Sequence, residues 1–519
     1  MEETQRTDWD VIVVGGALSG AATACLLLRR NPQLRLLILE RSEQLKRRVG
    51  ESTVEISAYF LGRVLGLTDH LLEKHLPKQG MRFWFANESA RSLDQCSETG
   101  PRYNVRLPGY QVDRAVLDEH VLAVAVKEGA VLRRLVRVRK VNLVSGGAQT
   151  VEWDDADGNP QTATARWVVD ASGVNALLAR QEGWHRPNAA HPTATCWSRW
   201  TNVVSLDDRL LAEKYPAWSN RAKGVRSTAT NHVTGYGWWA WIIPLKGGDV
   251  SVGVVYDQRI VELPAGPSLG ERLREMLCTH PLAREILANA SYQEGDMHFR
   301  RNLAYSSTTY ATDGAVLVGD AAGFIDPFYS PGMDWISFSA SAATALITDT
   351  FLGKPAAPRV ERHNRNFVES YDRWFRALYL DKYYYMGDFE LMTLAFRLDL
   401  GLYYLGIVRQ PFLHGNRILE TPPFAHPKSY WPFRLMELYN RRLVAIARDR
   451  RRRGTWGRRN HLGYFGFISY EFNRRLPVRV TGLLCLWAGL ELREGWRTWF
   501  RSAPAPVALP AKPAPAQSA

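Results

Sequence analysis

Apolar residues gather in a short unbroken run at 11–14, turn sharply through Gly15 and Gly16, and spread through an Ala- and Leu-rich stretch after Gly20. They gather again at 34–39, where the run stops at Glu40. This pattern predicts strand, turn, helix and strand in that order, the start of a doubly wound sheet. Further along, the pattern predicts a helix over 54–65, strands at 81–85 and 103–107, and a helix over 115–127. Valine-rich strands follow between 131 and 144, then a turn at Gly158-Asn159 and a buried strand over 166–173 ending in DASG. Residues 190–300 alternate apolar and polar, as an antiparallel sheet does. The run AVLVGD at 315–320 returns to the parallel type, a helix is expected over 332–351, and 359–500 reads as helical and rich in aromatics. From Ser502 the Pro/Ala-rich tail is expected to be disordered. The fold class is therefore α/β.

Composition changes this picture little, and charge somewhat more. Five scattered cysteines make no CxxC pair and no metal-ligand spacing, so neither a disulfide framework nor structural zinc is expected. The polar, acidic N-terminus is no signal peptide, and no apolar run reaches the roughly 20 residues that span a bilayer. A cytoplasmic location is the expectation. The net charge of +14 (66 basic, 52 acidic residues) concentrates at 133–140 and 448–459. Trp487, Trp496 and Trp499 beside Arg493, Arg497 and Arg501 suggest a helix lying against a membrane surface. No recognition motif accompanies the charge, so nucleic acid is not an expected partner.

Two stretches carry candidate chemistry. In the first, small residues allow close backbone approach to a pyrophosphate whose charge meets a helix N-terminus. Glu40, twenty residues after Gly20, is placed to accept hydrogen bonds from a ribose. The middle position of G-x-G-x-x-G is Ala17, a methyl that narrows the approach. In the second, Gly319-Asp320 ends an apolar strand and puts a carboxylate at the ligand-binding edge of the sheet. Pro331-Gly332 then opens a helix whose free N–H groups can face an anion or a polar ring.

The order GGALSG, Glu40-Arg41, Arg114, DASG, GD and DP..S.G over about residues 8–350 resembles FAD-dependent oxidoreductases of the aromatic-hydroxylase and geranylgeranyl-reductase type. WAWIIP, within the stretch 238–244, fits W-x-W-x-I-P, the signature of the flavin-dependent halogenases. The resemblance implies FAD, used as FADH2, held by Gly15, Gly16, Ala17, Ser19, Gly20, Glu40, Arg41, Gly50, Arg114 and Asp320. Gly332 and Met333 would lie at the isoalloxazine and a bound chloride or bromide. It further implies that hypohalous acid made from a flavin hydroperoxide and halide travels to a separate pocket, because Trp239 and Trp241 wall the flavin from the organic substrate. Pro244, Tyr329 and Ser330 would line that route.

Lys78, after Gly50-Glu51-Ser52 and in KQGMRF, matches the lysine that handles the oxidised halogen, with Lys74 and Arg82 as fallbacks. Where tryptophan halogenases carry a Glu two residues before Thr-Gly, this chain has Tyr329 before Ser330-Pro331-Gly332, and Asp334 is the candidate substitute acid. That departure favours phenol-, pyrrole- or aryl-polyene-like rings, free or carrier-bound, over indoles. No second nucleotide motif is found, so a flavin reductase is expected in trans.

The implied organisation is a Rossmann-like FAD-binding domain (8–189 and 306–357), an inserted antiparallel sheet domain for substrate (190–305), a helical C-terminal region (358–501) and a tail (502–519). A monooxygenase or reductase on the same scaffold and a non-catalytic flavin-binding interaction protein are the alternatives.

Overall fold

The computed structural model describes residues 8–222, 224–467 and 475–500. The expected tail from Ser502 lies outside the described residues, as does Arg501. Three short apolar strands, Ala315–Leu317, Trp9–Val14 and Leu36–Leu39, lie parallel with the apolar end of the longer Pro160–Asp170, which stands between the first and second of them, and Val131–Arg133 is parallel beyond Leu36–Leu39. Parallel strands are buried on both faces, which is why their sequences read as continuous apolar runs. One face carries the helices Leu18–Arg30, Arg114–Lys127 and Gly332–Phe351. The other is covered in part by the hairpin Arg137–Asn142 and Gln149–Asp154 through Val141, Val151 and Trp153. Val14, Leu39, Asp170 and Leu317 stand in register, so all four strands end along one edge, where this class of sheet binds its ligands.

The second sheet has nine strands and is not closed within 190–305. Thr193–Thr201, Val250–Asp257, Trp238–Pro244 and Thr230–Gly235 are antiparallel, as the alternation predicts. Beyond Thr230–Gly235 the sheet continues parallel into Met81–Phe85, antiparallel into Ser97–Pro101 and parallel again into Tyr464–Phe467. The sheet is therefore mixed, and three separate stretches of chain build it. The strand expected at 103–107 is irregular; its place is taken by Ser97–Pro101, a sequence of low β-propensity. A buried ion cluster is built on that strand. Glu98, at 0% exposure, pairs with Arg82 on the neighbouring strand and bonds Arg226 through both oxygens, at 2.8 and 2.9 Å.

The C-terminal region is helical as expected, with Ala357–Leu378, Phe389–Tyr403, Tyr430–Arg452 and Leu476–Arg493 its longest elements. Phe389–Tyr403 continues through a wide turn at Tyr404–Val408 into Arg409–His414. The joined stretch Phe389–His414 is, contrary to the sequence expectation, long and apolar enough to cross a membrane by length and composition. Its most apolar window is 61% buried inside the protein, so its hydrophobicity is largely spent on packing.

Removing one member of a buried ion cluster strands the others. Glu98→Gln is expected to destabilise the fold by about 3–5 kcal/mol, read as a lowered urea midpoint; an unshifted midpoint would show the cluster to be dispensable.

Candidate functional site

Along the carboxyl edge of the parallel sheet runs a cleft of about 1160 Å3. That is at the upper end of, or beyond, the roughly 300–1,000 Å3 of ordinary small-molecule sites. Gly15, Ala17, Ser19, Glu40, Arg41, Gly50, Arg114, Asp320, Ser330, Gly332 and Met333 line it. The glycine positions divide by what they touch. A Cβ on Gly15 (φ +104°) would lie 2.4 Å from the carbonyl oxygen of Ala171, and one on Gly20 would lie 1.9 Å from that of Gly15. Those two glycines are demanded by the turn and by helix–strand packing. Ala17 sits at the N-cap of Leu18–Arg30, which has no side-chain cap, so its first N–H groups remain available to a ligand. Gly16 and Gly20 lie behind the lining. Gly16 donates its N–H to Glu40 at 2.8 Å and thereby fixes that carboxylate at the strand end.

Asp320 sits where the return strand meets the cleft. Burial raises its carboxyl above the usual range, against the opposing pull of Arg114, Arg300 and Arg48. Arg114 is itself held by Asp118 at 2.8 and 3.0 Å. The cleft thus combines a bare helix N-terminus, an arginine-rich rim and a carboxylate at the strand edge, a donor and acceptor set that fits a dinucleotide.

Trp239 and Trp241 project from the same face of their strand into the far end of the cleft, beside His232. The Trp239 indole donates to Tyr383 at 2.9 Å, and that of Trp241 to Ser251 at 3.0 Å. Pro244 closes the strand half-buried, and Ile243 rather than Pro244 lines the cleft. Behind Trp239 stand Phe328, with ring centroids 5.1 Å apart, and then Tyr329, 4.4 Å further on.

Beyond this aromatic layer lies a second, largely apolar cavity of about 580 Å3, built mainly by the C-terminal helices. Trp374, Leu378 and Tyr379 from the aromatic stretch 371–385 contribute to it. Tyr329 and Pro331 line this cavity while Ser330 and Gly332 line the cleft. The alternation arises because Tyr329 (φ 70°) and Ser330 (φ 57°) are both left-handed, a costly conformation for side-chain-bearing residues. Tyr329 is anchored by a hydrogen bond to Asp399 at 3.0 Å, and Asp399 is neutralised by Lys382 at 2.7 Å and bonded by Tyr439 at 2.5 Å.

Lys78 lies between the two spaces. The short strand Leu76–Pro77 pairs with Tyr110–Gln111, and Lys78 N–H then donates to Gly109 at 2.8 Å. Its side chain is 4% exposed, and Nζ donates to Ser52 Oγ at 2.8 Å and to the Thr53 carbonyl at 2.7 Å. Ser52 belongs to the cleft. Lys78 itself faces a small cavity of about 40 Å3 that shares Val54, Glu55, Met81, Phe396 and Leu400 with the larger apolar one. Desolvation pulls its ammonium down to about 8, against the opposing influence of Glu55 and Asp334.

The fallbacks go elsewhere. Lys74 is a surface residue paired with Glu73, and Arg82 is locked in the Glu98 cluster. Asp334 is buried in the first turn of Gly332–Phe351, accepts from Ser57 N–H and Tyr403 hydroxyl at 2.8 Å each, and is raised to about 7 by burial. Glu55, which sequence reasoning missed, lines both the lysine cavity and the apolar cavity and accepts from Tyr404 at 2.6 Å. In sequence it is an ordinary acidic first-turn residue; only the fold brings it beside Lys78.

A family model for tryptophan halogenases matches residues 86–386, more than half of the chain. The chain belongs to the tryptophan halogenase family. The resemblance carried by WAWIIP is borne out on that ground. Among relatives, the flavin-dependent halogenase chlA of Dictyostelium discoideum is 29% identical over 404 residues, 71% of this chain and 64% of that one, so over a third of that relative is unmatched. A tryptophan 2-halogenase of Chondromyces crocatus is 26% identical over 384 residues, 72% of this chain and 67% of its own length. In fold, the chain is similar to halogenase PltM (TM-score 0.72, 19% identity, 94% of this chain and 97% of that one). A second likeness is to the chondrochloren halogenase CndH (TM-score 0.60, 24% identity, 71% and 82%). PltM has been crystallised with phloroglucinol and FAD.

A desolvated lysine titrates early. In nitrogen-labelled lysine NMR, one ammonium signal should be lost as pH rises through about 8, protonated below and neutral above, and be missing from Lys78→Ala. Titration of every lysine near the ordinary value of about 10.4 would contradict the burial.

Proposed function

We propose that the protein is an FAD-dependent halogenase that substitutes chlorine or bromine for hydrogen on an electron-rich, phenol-like or pyrrole-like ring. The observation that carries the reading is the place of Lys78, bonded to the cleft wall through Ser52 and opening towards the apolar cavity. FAD in its reduced form, supplied by a flavin reductase in trans, provides with oxygen and halide the hypohalous acid that is consumed here. Glu40, Arg41, Arg114 and Asp320 hold the dinucleotide along the cleft, and the N–H groups of Gly332 and Met333 offer the halide a small nest. Trp239, Trp241, Phe328 and Tyr329 keep the organic ring from the cleft. The two larger spaces share no lining residue, which favours passage of a small oxidant over direct oxygen transfer to the ring.

With its ammonium lowered to about 8, Lys78 is partly neutral at physiological pH. As an amine it exchanges hydrogen for halogen with hypohalous acid, releasing water; as an ammonium it donates to the hypohalous oxygen and polarises the O–halogen bond. Either way the ring attacks the halogen, and the displaced ring proton passes to a carboxylate, for which Glu55 stands nearer the lysine cavity than Asp334 does by lining. The exposed Trp496, Trp499 and Phe500 beside Arg497 support contact with an anionic membrane surface as a peripheral feature.

The test supplies FAD, a flavin reductase, oxygen and bromide to the full chain with a panel of phenols, pyrroles and indoles, and reads halogen isotope patterns by mass spectrometry. Lys78→Ala should lower product by about a hundredfold or more with FAD still bound, and Glu55→Gln should slow turnover with FAD affinity kept. Product undiminished in Lys78→Ala, or oxygen added in place of halogen, would overturn the reading.

A further inference from the structure

The apolar cavity is polarised along its length. Its inner end carries Glu55, Asp334 and the lysine-neutralised Asp399, with Lys78 in the adjoining small cavity turning its amine to Ser52 and Thr53. Its outer end, within 414–432, is lined by His414, His426 and Lys428, while Glu420 of that segment lies off the lining and pairs with Arg30 at 2.7 Å. Thr421 and His426 also line an adjoining surface groove, so the cavity mouth runs directly into it. There the helix Ala357–Leu378 presents Arg362, Arg365 and Arg373 against the single acid Glu369. Arg373 pairs with Glu369 at 2.9 Å and donates to the carbonyl of Phe424, a cavity-lining residue, at 2.7 Å. It fixes the groove to the mouth and cancels the groove's only acid. Arg365 makes just a long contact of 3.7 Å with exposed Glu361, and Arg362 has no ion pair among the described residues. Two cationic side chains therefore stand uncommitted at the entrance, with the exposed Trp431 beside them.

We infer that the substrate is an amphiphile: an electron-rich ring joined through an apolar chain to an anionic group such as a carboxylate. The ring goes inward, and the anion stays at the entrance against Arg362 and Arg365. The uncommitted arginines at the entrance attract the anion, while the Glu55 carboxylate at the inner end accepts from ring hydroxyls, so the anionic end is held outside. The cavity's apolar walls accommodate the connecting chain. This rests on the halogenation reading for what happens to the ring, but not for how the molecule binds.

The probes are a resorcinol carrying an alkyl carboxylic acid and the methyl ester of the same compound, with the FAD-loaded full chain. Binding is read by quenching of tryptophan fluorescence and turnover by mass spectrometry. The acid should bind about tenfold more tightly than the ester at low salt. Raising the salt, or reversing both charges with Arg362→Glu and Arg365→Glu, should erase that ratio. Equal affinities, a preference for the ester, or a ratio that survives charge reversal would overturn the inference. Failure of both compounds to acquire halogen, with the affinity ratio intact, would count against the halogenation reading and leave this one standing.

Discussion

A primary amine held out of water is the constraint around which this molecule is arranged. A lysine at 4% exposure must be compensated, and among the described residues two oxygens bond it, Ser52 Oγ and the Thr53 carbonyl. Both come from the segment that leaves the nucleotide-binding sheet, whereas Lys78 stands three residues before the second sheet is entered at Met81. The two layers of the protein are thereby joined through the group with the most to lose from misplacement. Glu55 and Asp334 offset part of the desolvation without touching the amine closely enough to form an ion pair, so its basicity falls and its charge becomes conditional on pH.

The wall between the two spaces has a different origin. Aromatic packing alone would fill the gap but would not decide which residue faces which side. The two left-handed residues at Tyr329 and Ser330 do decide it, and the Asp399, Lys382 and Tyr439 network supplies the bonds that make so strained a turn affordable. Opposing cavities are thus served by consecutive residues of one short segment.

Much of this was legible in the chain, and the parts that were not share a cause. The first strand–turn–helix–strand unit, the Gly-Asp edge and the helix Gly332–Phe351 announce themselves through local rules: continuous apolar strands, glycines where no Cβ fits, a proline just before a helix. Lys78 is singled out as a candidate by its position relative to two motifs. Ser97–Pro101 lies several residues from the expected strand because it is held by ladders to Met81–Phe85 and the remote Tyr464–Phe467, with Glu98 meeting Arg82 and the distant Arg226, none of which local propensity reports. A separate pocket is expected from the resemblance and its aromatic wall from 371–385, but Glu55 and the rest of the lining are not legible, for a similar reason. The cavity walls come from residues separated by several hundred positions, and an acidic residue in a helix's first turn has an ordinary local explanation.

The parallel edge strand Tyr464–Phe467 bears on how the chain reaches this state. It covers Ser97–Pro101, more than 350 residues earlier, with a ladder that includes Phe465 opposite Thr99. Until that late segment emerges from the ribosome, the earlier strand offers unpaired backbone groups to any passing chain. A nascent chain arrested before residue 464 would hold Lys78 and the cleft residues and yet leave the Ser97–Pro101 edge open.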